Sequence, residues 1–186
     1  VVAAKQHERH PLQDWLSGLR WDNTPRLDAW LPTYFWVAAS PYTVAVGRNL
    51  LIGLVARAMT PGCKLDTMPV LEGSQGALKS TALEVLGGSW YSTMTDSVNS
   101  KDFFVSLPWK WLIEVADLDT FRKAEITRIK LVLSNRTDRY RTPYGRHAQD
   151  YPRSSVFVGT TNEDDYLHDP TGGRRFWPIR CGRIAL

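Results

Sequence analysis

The sequence predicts an α/β domain built on a mainly parallel sheet and preceded by a helical region, and three observations carry that prediction. From residue 64 onward, short apolar runs alternate with helical stretches, an order that builds strand–helix–strand units. A run such as KWLIEV (110–115) is apolar almost without a break, which suits a strand buried in the domain. The first sixty residues show helical spacing instead.

Taken in order, Leu12, Trp15, Leu16 and Leu19 recur on one helical face. Asn23, Thr24 and Pro25 make a turn and helix start ahead of RLDAWL (26–31). Ser40 and Pro41 open a longer helix, serine at the N-cap and proline at the first position, and Pro61 with Gly62 ends it. This sets a helical region at 1–62 and the α/β core at 63–186. In the core, MPVL (68–71) is the first strand, a glycine-bearing stretch and a helix at 80–86 follow, and KWLIEV comes next. A helix at about 120–133 places Ile126, Ile129 and Leu133 on one face, and SSVFVGTTN (154–162) and RRFWPI (174–179) complete the strands. Because the sequence starts at Val1 and stops shortly after a strand signal, we expect a piece of a longer protein, lacking a C-terminal flank.

Composition narrows the class. A chain of 186 residues with 43% hydrophobic and 23% charged residues can bury a core, which excludes an intrinsically disordered segment. A net charge of +4 is compatible with nucleic acid as a partner without requiring it. Two cysteines, Cys63 and Cys181, stand far apart, so a disulfide framework or cysteine zinc site is not expected, and a reducing cytoplasm is the expected compartment. The most apolar stretch, residues 44–59, is interrupted by Arg48, Asn49 and Arg57, and so does not read as a membrane span.

The segment LEGSQGALKST (71–81) sits between a strand and a helix, where a phosphate-binding loop belongs. Measured against GxxxxGK[ST], Gly73 fills the first position, Ser74, Gln75, Gly76 and Ala77 the variable ones, Lys79 the lysine and Ser80 the hydroxyl, with Thr81 next. Leu78 stands where the pattern has glycine. Such a loop wraps its backbone amides around phosphates at the positive end of the following helix. Lys79 then reaches the β- and γ-phosphates of ATP, and the Ser80 hydroxyl ligates Mg²⁺.

An acid on a neighbouring strand must hold Mg²⁺ and polarise the attacking water. Glu114 closes the run Trp111-Leu112-Ile113, and Asp117 follows three residues later as a second metal candidate. SSVFVGTTN ends in Thr160, Thr161 and Asn162, a polar end able to position a water. Strand ends are where open α/β sheets bind ligands, so these ends point to one crevice. Arg174 and Arg175 precede the last strand and are candidates to stabilise charge on a transferring phosphoryl group.

Residues 135–153 hold Arg136, Arg139, Arg141, Arg146 and Arg153, interleaved with Tyr140, Tyr144 and Tyr151, with Pro143-Tyr144-Gly145 as a turn. Arginines that neutralise phosphates and tyrosines that stack on bases suit a groove for single-stranded DNA. A solvated hairpin, or arginines facing a neighbouring subunit's nucleotide, fits the same residues.

With these elements in this order, the chain resembles the virulence-associated protein E family, phage and prophage P-loop proteins similar to superfamily 3 helicases. The resemblance runs through WDNTPRLDAWL, RAMTPGCKLDTMPVLEG, QGALKST, WLIEVADL, TDRYRTPYGR and VFVGTTNEDDYLHDPTGGRRFWPI. It implies an AAA-like P-loop core in a bacterial or phage-infected cell, with ATP and Mg²⁺ as cofactors. It implies a DNA helicase or translocase that forms a homo-oligomeric ring, with a DNA-contacting hairpin between the acidic and asparagine strands. By the same resemblance Lys79, Ser80 and Thr81 match the Walker A loop, Glu114 the Walker B acid and Asn162 the sensor asparagine, while one of Arg174 and Arg175 matches the arginine finger. Leu78, and Asp117 where relatives often carry glutamate, depart from the family pattern. A nucleotide-gated switch or DNA-binding scaffold with little hydrolysis is the alternative reading, and Leu78 is the residue that favours it.

Overall fold

Ser40 fixes the start of the longest helix. Its hydroxyl accepts the Thr43 N–H at 3.1 Å, and the Thr43 hydroxyl accepts the Ser40 N–H at 2.9 Å, a reciprocal cap that satisfies two helix-terminal donors. With Pro41 at the first position, the helix runs over Pro41–Met59. Among the described residues two shorter helices precede it, Pro11–Gly18 and Trp30–Phe35; in chain order these are α1, α2 and, for the capped helix, α3. Gly62 then turns the chain with φ of +82°, and a Cβ there would stand 3.3 Å from the Arg136 carbonyl oxygen. These relations belong to a computed structural model that describes residues 10–94, 101–142, 145–163, 166 and 174–186. Tyr144, Gly172 and Gly173 lie outside the described residues.

The core begins with β1, Met68–Glu72, followed by α4, Lys79–Gly87, and β2, Tyr91–Thr93. Then come α5, Lys101–Ser106, β3, Leu112–Val115, and α6, Lys123–Ser134. Helix α6 starts three residues later than the sequence suggests. Residues Leu118–Thr120 form a 3₁₀ turn, and Glu125 caps backwards onto the Arg122 N–H at 2.8 Å, which sets the first helical residue at Lys123. The hairpin β4, Thr137–Tyr140, and β5, Gln149–Pro152, precedes β6, Val156–Thr161, and β7, Phe176–Arg180.

Five strands form one sheet in the order β2-β3-β6-β1-β7, every neighbouring pair parallel. The hairpin β4–β5 forms a separate antiparallel pair. Alternation along the strands divides the core into two layers. Leu71, Leu112, Val156 and Val158 pack with α1 to α4 on one face, and Met68, Val70, Ile113, Val115 and Phe157 pack with α6 on the other. The N-terminal helices share the first layer with the sheet, and the Trp111 indole N–H donates to the Leu54 carbonyl at 2.7 Å within it. Covered on both faces, β3 and β6 are buried at every residue, the environment their continuous apolar runs anticipate.

Candidate functional site

Sheet order does the assembling. β6 lies between β1 and β3, so the loop after β1, the acid on β3 and the polar end of β6 meet at the carboxyl edge of the sheet. Residues 73–78 make a tight loop in which the Ala77 N–H bonds the Ser74 carbonyl at 3.3 Å and Gly76 takes φ of +79°. Leu78 stands at the N-cap of α4 with φ of +64° and ψ of 23°. A leucine in this left-handed region carries strain of about 1–2 kcal/mol. It adopts the backbone that glycine takes freely, so the substitution leaves the turn's course intact.

Lys79 is buried, and its ammonium folds back into the loop. It donates to the Gly73 carbonyl at 2.5 Å, the Ser74 carbonyl at 3.0 Å and the Asn162 Oδ1 at 3.1 Å. Burial pushes the Lys79 pKa below the usual lysine value, against the opposing pull of Cys181, Asp117, Asp119 and Glu114. Glu114 is fully buried and collects three hydroxyl donors. Ser80 reaches its Oε1 at 2.7 Å, Thr160 reaches the same oxygen at 2.6 Å, and Tyr91 donates to Oε2. Those donors compensate the loss of water around a buried carboxylate. Burial first, and the bond to Glu114 second, push the Tyr91 phenol up to about 12.

Beyond Glu114, Asp117 is exposed with φ of +51°, and the Asn162 Nδ2 lies 3.4 Å from its Oδ1. Asp119 accepts the Thr161 hydroxyl at 2.9 Å and the Asn162 N–H at 3.3 Å, fixing the end of β6. A cleft of about 290 Å³ opens here, walled by residues 75–81 on one side and by Asp117, Thr160 and Asn162 on the other. The first backbone N–H groups of α4 have no intrahelical acceptor, and they front this cleft.

The chemistry of this donor set suits a phosphate-bound Mg²⁺. Ser80 Oγ and Glu114 Oε1 are adjacent hard oxygens, and Mg²⁺ is ordinarily held by one or two protein oxygens with the remainder from phosphates and water. Among the described residues no cluster of three or more His, Cys, Asp and Glu offers an all-protein metal cage.

The remaining candidates lie elsewhere. Arg174 is exposed, while Arg175 is half-buried, with its Nε donating to Ser134 Oγ at 3.2 Å. Both precede β7, and the Arg175 carbonyl accepts the Met68 N–H at 2.7 Å, so the pair stands at the amino edge of the sheet. The five-residue β1 separates that edge from the phosphate loop by about 13 Å. In the hairpin, Arg139, Arg141 and Arg146 are exposed, with Arg139 bonded to Asp150 at 3.1 Å, and Arg136 donates to the Gly62 carbonyl at 2.7 Å. Tyr140 is only 8% exposed, its ring stacked on Tyr151 at 4.3 Å, so it presents no free face to a base at the surface. Arg153 is buried against Asp138, with Nε at 2.9 Å from Oδ2, and takes no part in a surface basic patch.

Sequence reasoning assigns no role to Tyr91 or Asp119, and gives Thr160 only a share in a polar strand end able to position a water. Tyr91 belongs to no motif and comes to Glu114 through the β2–β3 pairing, in which Thr93 lies opposite Glu114.

Fold and site together define an α/β domain with a parallel sheet and a loop–helix turn facing a buried acid. The virulence-associated protein E-like domain profile matches residues 16–186, and the chain belongs to that family. Two solved structures of the NrS-1 C-terminal region, both A-form and apo, superpose with a TM-score of 0.59 over 95% of this chain at 16% identity. The chain spans about two fifths of those regions, 41% and 42%, and at that identity the likeness is one of fold. No curated protein sequence matches the chain significantly. Among the described residues no helix is long and apolar enough to cross a membrane.

Proposed function

We propose that this chain is the nucleotide-binding core of an AAA-like, superfamily 3-type P-loop ATPase that binds ATP with Mg²⁺ and works on single-stranded DNA. The observation that carries the proposal is the joint arrangement of two polar clusters at one strand edge: Lys79 with Asn162, and Ser80 with Glu114 and Thr160. Three strand ends far apart in sequence supply them, and a structural turn alone has no use for that convergence.

In this reading the amides of 75–81 and the Lys79 ammonium hold the β- and γ-phosphates, with Lys79 exchanging its loop carbonyls for phosphate oxygens. Ser80 and Glu114 hold Mg²⁺, with Asp117 at the outer edge of the site. Bound Mg²⁺ neutralises charge on the phosphate oxygens. Glu114 accepts a hydrogen bond from the attacking water, and Asn162 orients that water toward the γ-phosphate. Arg174 or Arg175 serves a neighbour's nucleotide, which favours a homo-oligomeric ring. The phage or prophage replication setting rests on the family alone.

A switch that binds nucleotide with little hydrolysis is the second reading, favoured by Leu78 at the glycine position. Steady-state ATPase assays with and without single-stranded DNA separate the two. Turnover dependent on Mg²⁺ and raised by DNA supports the motor. Binding without turnover supports the switch, and neither binding nor turnover contradicts both.

A further inference from the structure

A second cavity lies at the amino edge of the sheet, remote from the phosphate loop. It holds about 140 Å³ and is bounded by Trp109 in the loop before β3, by Tyr140 and Tyr151 of the hairpin, by Ser155 before β6, and by His10. Its walls are aromatic. Tyr140 and Tyr151 stack with 21° between their planes, and the Trp109 ring stands 5.7 Å from His10. Trp109 is 59% exposed, so its indole is open to a ligand.

Two polar atoms there lack partners in an otherwise satisfied region. Ser155 is 2% exposed and its Oγ makes no hydrogen bond, and neither does the buried His10 Nδ1. Such groups cost roughly 1–3 kcal/mol each until something bonds them. The guanidinium in the wall, Arg153, is engaged by both oxygens of Asp138 and by the Val132 carbonyl. An anion therefore meets a charge already neutralised, whereas a flat neutral ring with edge donors and acceptors meets aromatic faces and open polar atoms.

We infer that this cavity receives one unpaired nucleobase of single-stranded DNA, stacked against Trp109 and Tyr151 and bonded at its edge by Ser155 or His10. The inference rests on the DNA part of the proposed function. The exposed Arg139 and Arg141 lie along the same hairpin, where they can meet the flanking phosphates while the base turns inward. Selection of a base, rather than of backbone charge, is what the cavity adds.

The test is fluorescence anisotropy on the whole chain with a labelled oligothymidylate and an abasic oligomer of equal length. Wild type should prefer the base-bearing strand by roughly 5- to 100-fold, the range that aromatic stacking supplies. Trp109→Ala should remove that preference and leave affinity for the abasic strand unchanged, while Trp109→Phe should keep most of it. Melting curves identify any variant that fails to fold. Equal affinity of wild type for the two strands, or a preference that survives Trp109→Ala, overturns the base site alone. No binding of either strand overturns the DNA reading and the base site with it.

Discussion

The Ser80 hydroxyl lies 2.7 Å from Glu114 Oε1, joining the first turn of α4 to a strand two places away from β1 in the sheet. The bond is long-range, 34 residues in sequence, and it closes over the one fully buried acid among the described residues. In the proposed reading this hydroxyl and carboxylate are the two protein oxygens that would hold a phosphate-bound Mg²⁺. Glu114→Gln preserves the shape and removes the charge. It should retain ATP binding and lose turnover by about 10²-fold or more, read as steady-state phosphate release. Unchanged turnover would move the role to Asp117.

Tyr91 is the third donor to Glu114 and supplies the bond to Oε2. Tyr91→Phe leaves that oxygen short of a partner and should destabilise the fold by about 1–2 kcal/mol in urea unfolding. The phenol also predicts an alkaline limit. Its folded pKa of about 12 exceeds the ordinary value of 10.0, so its contribution is complete below pH 10 and lost as pH rises toward 12. Tyr91→Phe should remove its share of that alkaline slope, and an unchanged slope would show that the other tyrosines carry it.

The hairpin arginines separate by burial. Arg139 and Arg141 are exposed, and replacing both with alanine should lower the slope of log K against log salt for single-stranded DNA. The expected decrease is roughly 0.7 for each phosphate that the variant no longer neutralises. Arg153 is paired inside the domain, and Arg153→Ala strands the Asp138 carboxylate. That change should cost about 3–5 kcal/mol of stability in denaturant unfolding. A cheap Arg153→Ala substitution with a large loss of DNA affinity would reverse the assignment.

Arg174 and Arg175 stand at the opposite edge of the sheet from Lys79, so in the proposed reading they serve a neighbour's nucleotide rather than their own. Specific ATPase activity should therefore rise with protein concentration. An Arg174→Ala, Arg175→Ala double variant mixed with Lys79→Ala should recover turnover, because a mixed interface rebuilds one complete site. An arginine supplied in this way is worth roughly 10³- to 10⁵-fold. Absence of recovery, with both variants shown to co-assemble, would confine the pair to a structural role such as the Arg175–Ser134 bond.

Local chemistry made much of this legible in the sequence. Ser40 and Pro41 announce their helix because capping is settled within four residues, and MPVL followed by GSQGALKST announces a strand and loop because both signals are contiguous. What escaped depends on pairing between distant segments. Tyr91 reaches Glu114 only once β2 lies beside β3. Alternation along β4 turns Asp138 and Tyr140 inward and Arg139 outward, so a run that reads as one basic, aromatic patch divides into a buried ion pair, a buried ring and an exposed cation. Leu78 departs from the glycine pattern, yet its backbone takes the left-handed form that the loop requires.

Calorimetric titration of the chain with Mg²⁺·ATP, wild type beside Lys79→Ala, tests the phosphate-loop reading most directly. Lys79 donates to three acceptors, the Gly73 and Ser74 carbonyls and the Asn162 Oδ1, and in the proposed reading its charge is the one the loop offers to the β- and γ-phosphates. The expected result is saturable binding by wild type and binding weakened at least tenfold in Lys79→Ala, with melting curves showing both proteins folded. Equal affinity in the two proteins, or no binding by folded wild type, would contradict the assignment of residues 73–81 as a nucleotide site.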